Sequence, residues 1–277
     1  MSDGVRMSWD LGAALAGTMI KQLQPACKRI AVGGSLRRGS VDVGDLELIA
    51  ISDGEALYQA VDEWLYKGIV EKRLKSNGSP IAWARRYRAM LFQGVPVDLF
   101  VTCPSQWGLI HVLRTGPGKP ESYWKGGANQ YLVTQRRQGG LLPNDLRMAD
   151  GWIWRGEKRL LTPEESDVYQ LLGIPFIAPY YRSVQTYRAW QNEGPSGVER
   201  LRESQWHPAL NRTGKEKYWP SVGWGGDSAF CSWGRYFRPY TNEMLIRLAE
   251  RWPIAGKNDG MIGRTHVHAG AVAAAAN

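Results

Sequence analysis

Between Gly33 and Ile51 the chain reads GGSLRRGSVDVGDLELIAI. Two glycines and a serine lead into the adjacent arginines Arg37 and Arg38, and a Gly44-Asp45 step opens an alternating run. In a β-strand, residues two apart share a face. Asp45 and Glu47 therefore project side by side, while Leu46 and Leu48 turn to the other side. Two neighbouring carboxylates repel unless a cation sits between them. Hard divalent cations take oxygen ligands, a few carboxylates together with substrate phosphates. Backbone amides of a Gly-Gly-Ser loop can cradle phosphate oxygens, and an arginine such as Arg38 can neutralise them bidentately. A D-x-E pair alone is commonly a solvated strand face; the pair, the loop and the arginine together point to a polyphosphate held with a metal.

Outward from this stretch, Trp9 to Leu23 carries apolar residues at helical spacing and stops before Pro25, which predicts an amphipathic helix. Cys27 to Val32 reads as a strand entering the Gly-Gly-Ser turn, and Gly44 to Ile51 as its partner. Asp53 followed by EALYQAVDEWLYKG predicts a capped helix ending near Gly68, covering one face of the sheet. Ile81 to Thr102 reads as two strands joined near Gln93-Gly94, with Asp98 inside the second, apolar one. An acid in such a strand is paired, metal-bound or on an open face. Three carboxylates on neighbouring strands can hold two metals roughly 3.5–4 Å apart and clamp the attacking and leaving oxygens of a phosphoryl transfer.

GGSLRRGSVDVGDLEL resembles the G-S-x-R-R-G…G-D-x-D signature of the X-family (polymerase-beta-like) DNA polymerases, within the nucleotidyltransferase superfamily; Glu47 stands where the family has Asp. GVPVDLFV, containing Asp98, is similar to the family's G-x-x-V-D-L strand. WGLIHVLRTG, Trp107 to Gly116, looks like the helix ending in a Thr-Gly step beneath the nucleotide sugar. ESYWKGGANQYLVTQRRQGG looks like the helix on which the templating base pair rests, and TPEESDVYQLLGIPFIAPYYR like a closing segment ending in P-x-x-R. The resemblance runs from Lys28 to Arg182. It implies Asp45, Glu47 and Asp98 as catalytic residues and ligands of two Mg²⁺ (or Mn²⁺) ions, Asp98 also taking the proton from a primer 3′-hydroxyl. It implies Gly34, Ser35, Arg38, Gly44, Thr115 and Gly116 at the nucleotide, and Tyr123, Trp124 and Lys125 as candidates facing the base pair; core packing of Tyr123 and Trp124 is the alternative.

The chain has 277 residues with 35 Lys+Arg against 26 Asp+Glu, formally +9, which favours a polyanionic partner. No apolar run reaches membrane-spanning length and no signal core opens the sequence, so a cytoplasmic protein away from membranes is expected. Cys27, Cys103 and Cys231 are widely spaced and read as reduced thiols. Thr162-Pro163-Glu164-Glu165 reads as a capping box opening a helix that stops at Gly173. From Ser183 onward tryptophans are interspersed with Arg and Lys, among them Lys215, Lys217 and Arg235. Such interleaving suits single-stranded nucleic acid, but more often marks a Trp-rich core with a basic rim. Thr241 to Trp252 reads as a capped helix. His266 and His268 lie in an Ala/Gly tail, where histidines are more often bystanders than metal ligands.

The expected fold is α+β: a nucleotidyltransferase palm of mixed or antiparallel strands over 1–110 and a small nucleotide-selecting subdomain over 111–182. A Trp-rich basic region over 183–262 and a flexible tail over 263–277 follow. The expected activity is DNA-directed DNA polymerisation by a monomer, on primer-template DNA and a deoxynucleoside triphosphate, in repair or replication. The space before the first strand holds no lyase or helix-hairpin-helix module, a layout associated with compact phage or viral members. Transfer to RNA or to a small-molecule hydroxyl is the alternative that Glu47 favours. A catalytically silent nucleic-acid-binding scaffold is another, which three converging acids disfavour.

Overall fold

The computed structural model describes residues 6–40, 42–118, 124, 126–204 and 241–251. It divides into two compact units, Met1–Thr102 with Tyr240–Asn277, and Cys103–Pro239. The first unit opens with a short strand β1 (Met7–Ser8) and helix α1 (Trp9–Leu23). Ser8 caps α1 by accepting from the Leu11 amide at 3.3 Å. The helix gives way to a 3₁₀ turn containing Pro25, where the ring lacks the N–H an α-helix needs. Strand β2 (Cys27–Val32), the four-residue helix α2 (Gly34–Arg37), β3 (Asp42–Val43) and β4 (Leu46–Ser52) follow. Helix α3 (Ala56–Tyr66), β5 (Val70–Lys72), β6 (Tyr87–Phe92) and β7 (Val95–Val101) complete the walk to Thr102.

The strands form a five-stranded sheet ordered β2-β4-β7-β6-β5, while β1 pairs with β3. It is mixed: β4 and β7 run parallel at its centre, and every other neighbour is antiparallel. The β6–β7 hairpin turns on Gln93 (φ 52°) and Gly94 (φ 76°). Two positive φ values in a two-residue loop match the twist of the strands they join. The strand expected from Ile81 begins only at Tyr87, because Ala84 and Tyr87 exchange main-chain hydrogen bonds (2.9 and 3.3 Å) and turn the chain there. Leu46, Leu48, Ile49 and Ala50 of β4 are fully buried. Arg88 of β6 grips Asp62 of α3 through two hydrogen bonds of 2.8 and 3.1 Å, tying helix to sheet.

The second unit contains α4 (Trp107–Thr115), α5 (Ala128–Val133), the antiparallel meander β8 (Leu146–Ala149), β9 (Trp152–Arg155), β10 (Lys158–Leu160), then α6 (Glu165–Leu172), α7 (Val184–Glu193) and α8 (Pro195–Ser204). Leu109, Val112, Leu132, Leu146, Ile153 and Tyr169 belong to its core. The boundary falls after Thr102, not at 110. A Cβ on Gly108 would lie 2.0 Å from the Glu164 carbonyl oxygen, so α4 is seated on the chain entering α6. The capping box also shifts. Thr162 is held by hydrogen bonds from its amide to Ser105 O and from Gly108 N to its carbonyl, both 2.8 Å. Glu164 caps α6 instead, its amide donating to Asp167 at 2.7 Å, and Gly173 ends the helix at φ 70°.

Arg182, ending the Pro179-Tyr180-Tyr181-Arg182 turn, is 2 % exposed. It donates to Glu165 at 2.8 Å and to the Ile177 carbonyl at 3.0 Å. Burial pulls against its charge, but Tyr169, Glu165 and Tyr187 around it hold its protonation above the usual arginine range. Removing one partner of such a pair strands a buried charge, at about 3–5 kcal/mol.

The last described helix, α9 (Asn242–Arg251), returns to the first unit. Thr241 caps it at the Met244 amide. Leu245 and Leu248 are buried, Asn242 donates to the Ile30 carbonyl at 2.8 Å, and Lys21 of α1 pairs with Glu250 at 2.8 Å. The stretch 183–262 is therefore not one region: α7 and α8 belong to the second unit and α9 to the first. Among the described residues no helix is long and apolar enough to cross a membrane.

Candidate active site

The Gly-Gly-Ser stretch joins β2 to α2 and is fastened to β4 by a 2.7 Å hydrogen bond from the Gly33 amide to the Glu47 carbonyl. Gly34 has φ +61°, and a Cβ built there would lie 1.9 Å from Glu47 Oε2. Both conformation and space demand glycine, and the same fact places the Glu47 carboxylate against the loop. Next to it, the Ser35 hydroxyl is buried with no hydrogen-bond partner among the described residues. A buried polar group left unmade costs about 1–3 kcal/mol, so this hydroxyl is suited to an acceptor-rich ligand such as a phosphate. Arg38 caps the C-terminal end of α2.

Asp45 lies in a bend immediately before β4, and Glu47 is the second residue of the strand. Glu47 is in register with Asp98 on the parallel neighbour β7, so their side chains leave the same face of the sheet. Both are half-buried, as is Asp45. The Asp45 carboxyl is pushed above its ordinary 3.8 by burial first and by the Asp98 charge second; Arg73, Arg38 and Arg6 act the other way. Asp45 and Asp98 thus repel, and Arg73, Arg38 and Arg6 offset part of that repulsion.

Asp98 Oδ1 is already engaged. Arg73, just after β5, donates to it at 2.8 Å, and the Tyr87 hydroxyl donates at 2.9 Å. Arg73 also reaches the Tyr87 oxygen at 3.3 Å, and its Nε is buried without a partner among the described residues. Among the described residues no group of three or more His, Cys, Asp or Glu side chains is disposed to hold a metal ion. The three acids are neighbours and their oxygen donors fit a hard cation, but as they stand Arg73 answers Asp98 and Glu47 turns to Gly34.

The other expected positions divide. Gly44 links β3 to β4 beside the acids. Thr115 is fully buried at the end of α4, and Gly116 is buried beside it. A Cβ on Gly116 would lie 3.2 Å from the Asn129 amide, which keeps α5 close. Trp124 lines a cleft with Tyr131 and α7 residues, while Tyr123, Lys125, Lys215, Lys217, Arg235, His266 and His268 lie outside the described residues. Arg73 and Tyr87 were not singled out in the sequence. Tyr87 sits two residues before Ala89, which pairs with Asp98, so the alternation of β6 carried a signal; Arg73 carried none, since only the pairing of β5 onto β6 brings it near.

The geometry defines an α+β unit in which a mixed sheet lays two in-register carboxylates and a third beside them next to a glycine-serine loop. No family model matches the chain, and no curated protein matches it.

Proposed function

We propose that the chain is a metal-dependent nucleotidyltransferase, with a DNA primer 3′-hydroxyl as acceptor and a deoxynucleoside triphosphate as donor. The observation that carries the reading is the in-register pair Glu47–Asp98 with Asp45 at its side, adjoining a loop whose Ser35 hydroxyl is buried and unpartnered among the described residues. Asp45, Glu47 and Asp98 would hold the divalent ions, which supply charge neutralisation at the phosphates and at the acceptor oxygen when bound. Ser35 donates to a phosphate oxygen, and the Gly33-Gly34 main chain shapes the cradle. Arg38 neutralises the phosphates, most strongly as the leaving pyrophosphate gains charge. Asp98, once released by Arg73, accepts the proton from the acceptor hydroxyl. The formal +9 charge suits a polyanionic acceptor.

The Arg73–Asp98 pair favours a second reading, a nucleic-acid-binding scaffold whose acids are neutralised by arginine. One assay separates the two: a labelled primer, alone or annealed, is incubated with Mg²⁺ or Mn²⁺ and each nucleotide in turn. Extension of the annealed primer supports the polymerase reading; extension of the single strand alone makes the enzyme template-independent. No extension under any condition, with DNA still bound, leaves the scaffold.

A further inference from the structure

The second unit contains a cleft of about 600 Å³ whose lining includes Trp124, Tyr131, Arg136, Arg188, Trp190 and Gln191. That volume falls within the roughly 300–1,000 Å³ of small-molecule sites. It contains none of Asp45, Glu47 and Asp98; it shares Trp124 with the positions the resemblance implies near the base pair, and its far wall is α7, beyond the end of that resemblance. Two arginines and no carboxylate line it among the described residues.

Three features make it a built site. Arg136 donates to the main-chain carbonyls of Leu141 (3.2 Å) and Leu172 (2.8 Å), which fix the guanidinium while leaving its charge unneutralised by either acceptor. The Tyr131 hydroxyl donates to Gln191 Oε1, and Gln191 Nε2 donates to the Gly140 carbonyl at 3.0 Å, locking α5, the glycine turn and α7 around the opening. Gly140 has no room for a side chain, since a Cβ there would lie 2.1 Å from the Thr134 carbonyl oxygen. Finally, the Trp124 indole N–H is buried without an acceptor among the described residues. A cationic, aromatic cleft with an orphan donor calls for a ligand that is anionic, rich in acceptors and flat.

We propose that this cleft binds a nucleotide unit, its base against the tryptophan and tyrosine walls and its phosphate on Arg136 and Arg188. The shared chemistry belongs equally to a free mononucleotide and to one unit of a single strand. Base–aromatic stacking and guanidinium–phosphate pairing are the usual means of holding single strands. The inference does not depend on the carboxylate site.

The test is done in EDTA, so that failure of the metal site cannot affect it. Binding of fluorescein-labelled oligo(dT) of eight nucleotides is followed by anisotropy, with dTMP, inorganic phosphate and an abasic oligomer of equal phosphate count as competitors. Arg188→Gln and Trp124→Phe are compared with the wild type after circular dichroism shows both folded. Stacking and phosphate contacts of this kind predict a loss of about fivefold or more for Arg188→Gln and a smaller loss for Trp124→Phe, which keeps the ring and removes the N–H. The abasic oligomer should compete at least about fivefold more weakly than oligo(dT). Competition by dTMP assigns the site to a free nucleotide, and its failure beside good oligo(dT) binding assigns it to a strand. Equal affinity of the variants and the wild type overturns the proposal, as does an abasic oligomer or inorganic phosphate competing as well as its base-bearing counterpart. Absence of binding by both oligo(dT) and dTMP overturns it too.

Discussion

Asp45 carries the electrostatic tension of the first unit. Its carboxyl is half-buried and faces the Asp98 charge, which together raise it above 3.8 despite three arginines. An acid whose folded value is raised lends stability below its unfolded value and loses it as pH rises through the folded one. At neutral pH the ionised group therefore costs stability. Asp45→Asn is expected to be more stable than the wild type at pH 7 without divalent ions, by about 0.5–1 kcal/mol. The advantage should shrink as pH falls and vanish below 3.8. Paired thermal melts across pH 3 to 7 check this; a variant less stable at pH 7 would place Asp45 in a supporting ion pair, not in a strained site. Glu47 sits differently, pressed to Gly34, and substitution of that glycine would displace the acid. Glu47 and Asp98 were legible as strand residues because alternation fixes the face of each; Asp45 was expected on the strand with Glu47 but lies in the bend before it, because β4 begins only at Leu46. Arg73 was not legible: its contact with Asp98 is made by strand pairing between segments with no local signature.

At the level of elements, local chemistry announced itself where it was self-contained. Trp9–Leu23 and Cys27–Val32 have the expected bounds, set by Ser8, Pro25 and Gly33. The start of α6 was misplaced because Thr162 spends its main-chain groups on Ser105 and Gly108, partners remote in sequence. Helix α9 was legible as a helix, but its docking site lies 212 residues away where Asn242 meets Ile30. Gly17 is the reason α9 can approach: a Cβ there would lie 2.0 Å from the Leu245 carbonyl oxygen, a backbone atom that cannot swing aside. Alanine would otherwise favour the interior of α1 by about 0.5–1 kcal/mol. Gly17→Ala is expected to destabilise instead, by about 1–3 kcal/mol, through forced separation of the helices. Hydrogen exchange should show protection lost first in Asn242–Arg251 and α1. A variant as stable as the wild type, with α9 protection intact, would mean the helices do not meet at Gly17.

Across the whole molecule, the division into two units assigns each kind of chemistry to its own frame. The first brings Glu47 and Asp98 into register on a mixed sheet with Asp45 in the bend just before it; the second packs Arg182 and Glu165 into its core and opens the Trp124 cleft. The α+β character of the chain was readable from its alternating strand and helix patterns. The division was not, since the segment after Asp98 leaves the sheet at Thr102 and α9 returns to the first unit from the far end of the sequence. Nor was the site's resting state, in which arginine answers the acids. The central claim is that these acids act together on a triphosphate, and pyrophosphate release measures that most directly. Wild-type protein and Asp98→Asn are compared at equal concentration with annealed primer, the matching deoxynucleoside triphosphate and increasing Mg²⁺. Release from the wild type should rise with Mg²⁺ and require primer, and in the Asn variant it should fall by about 100-fold or more, as loss of a group acting in the transition state demands. Release undiminished in Asp98→Asn, or none from a folded, DNA-bound wild type at any Mg²⁺ concentration, would contradict the account.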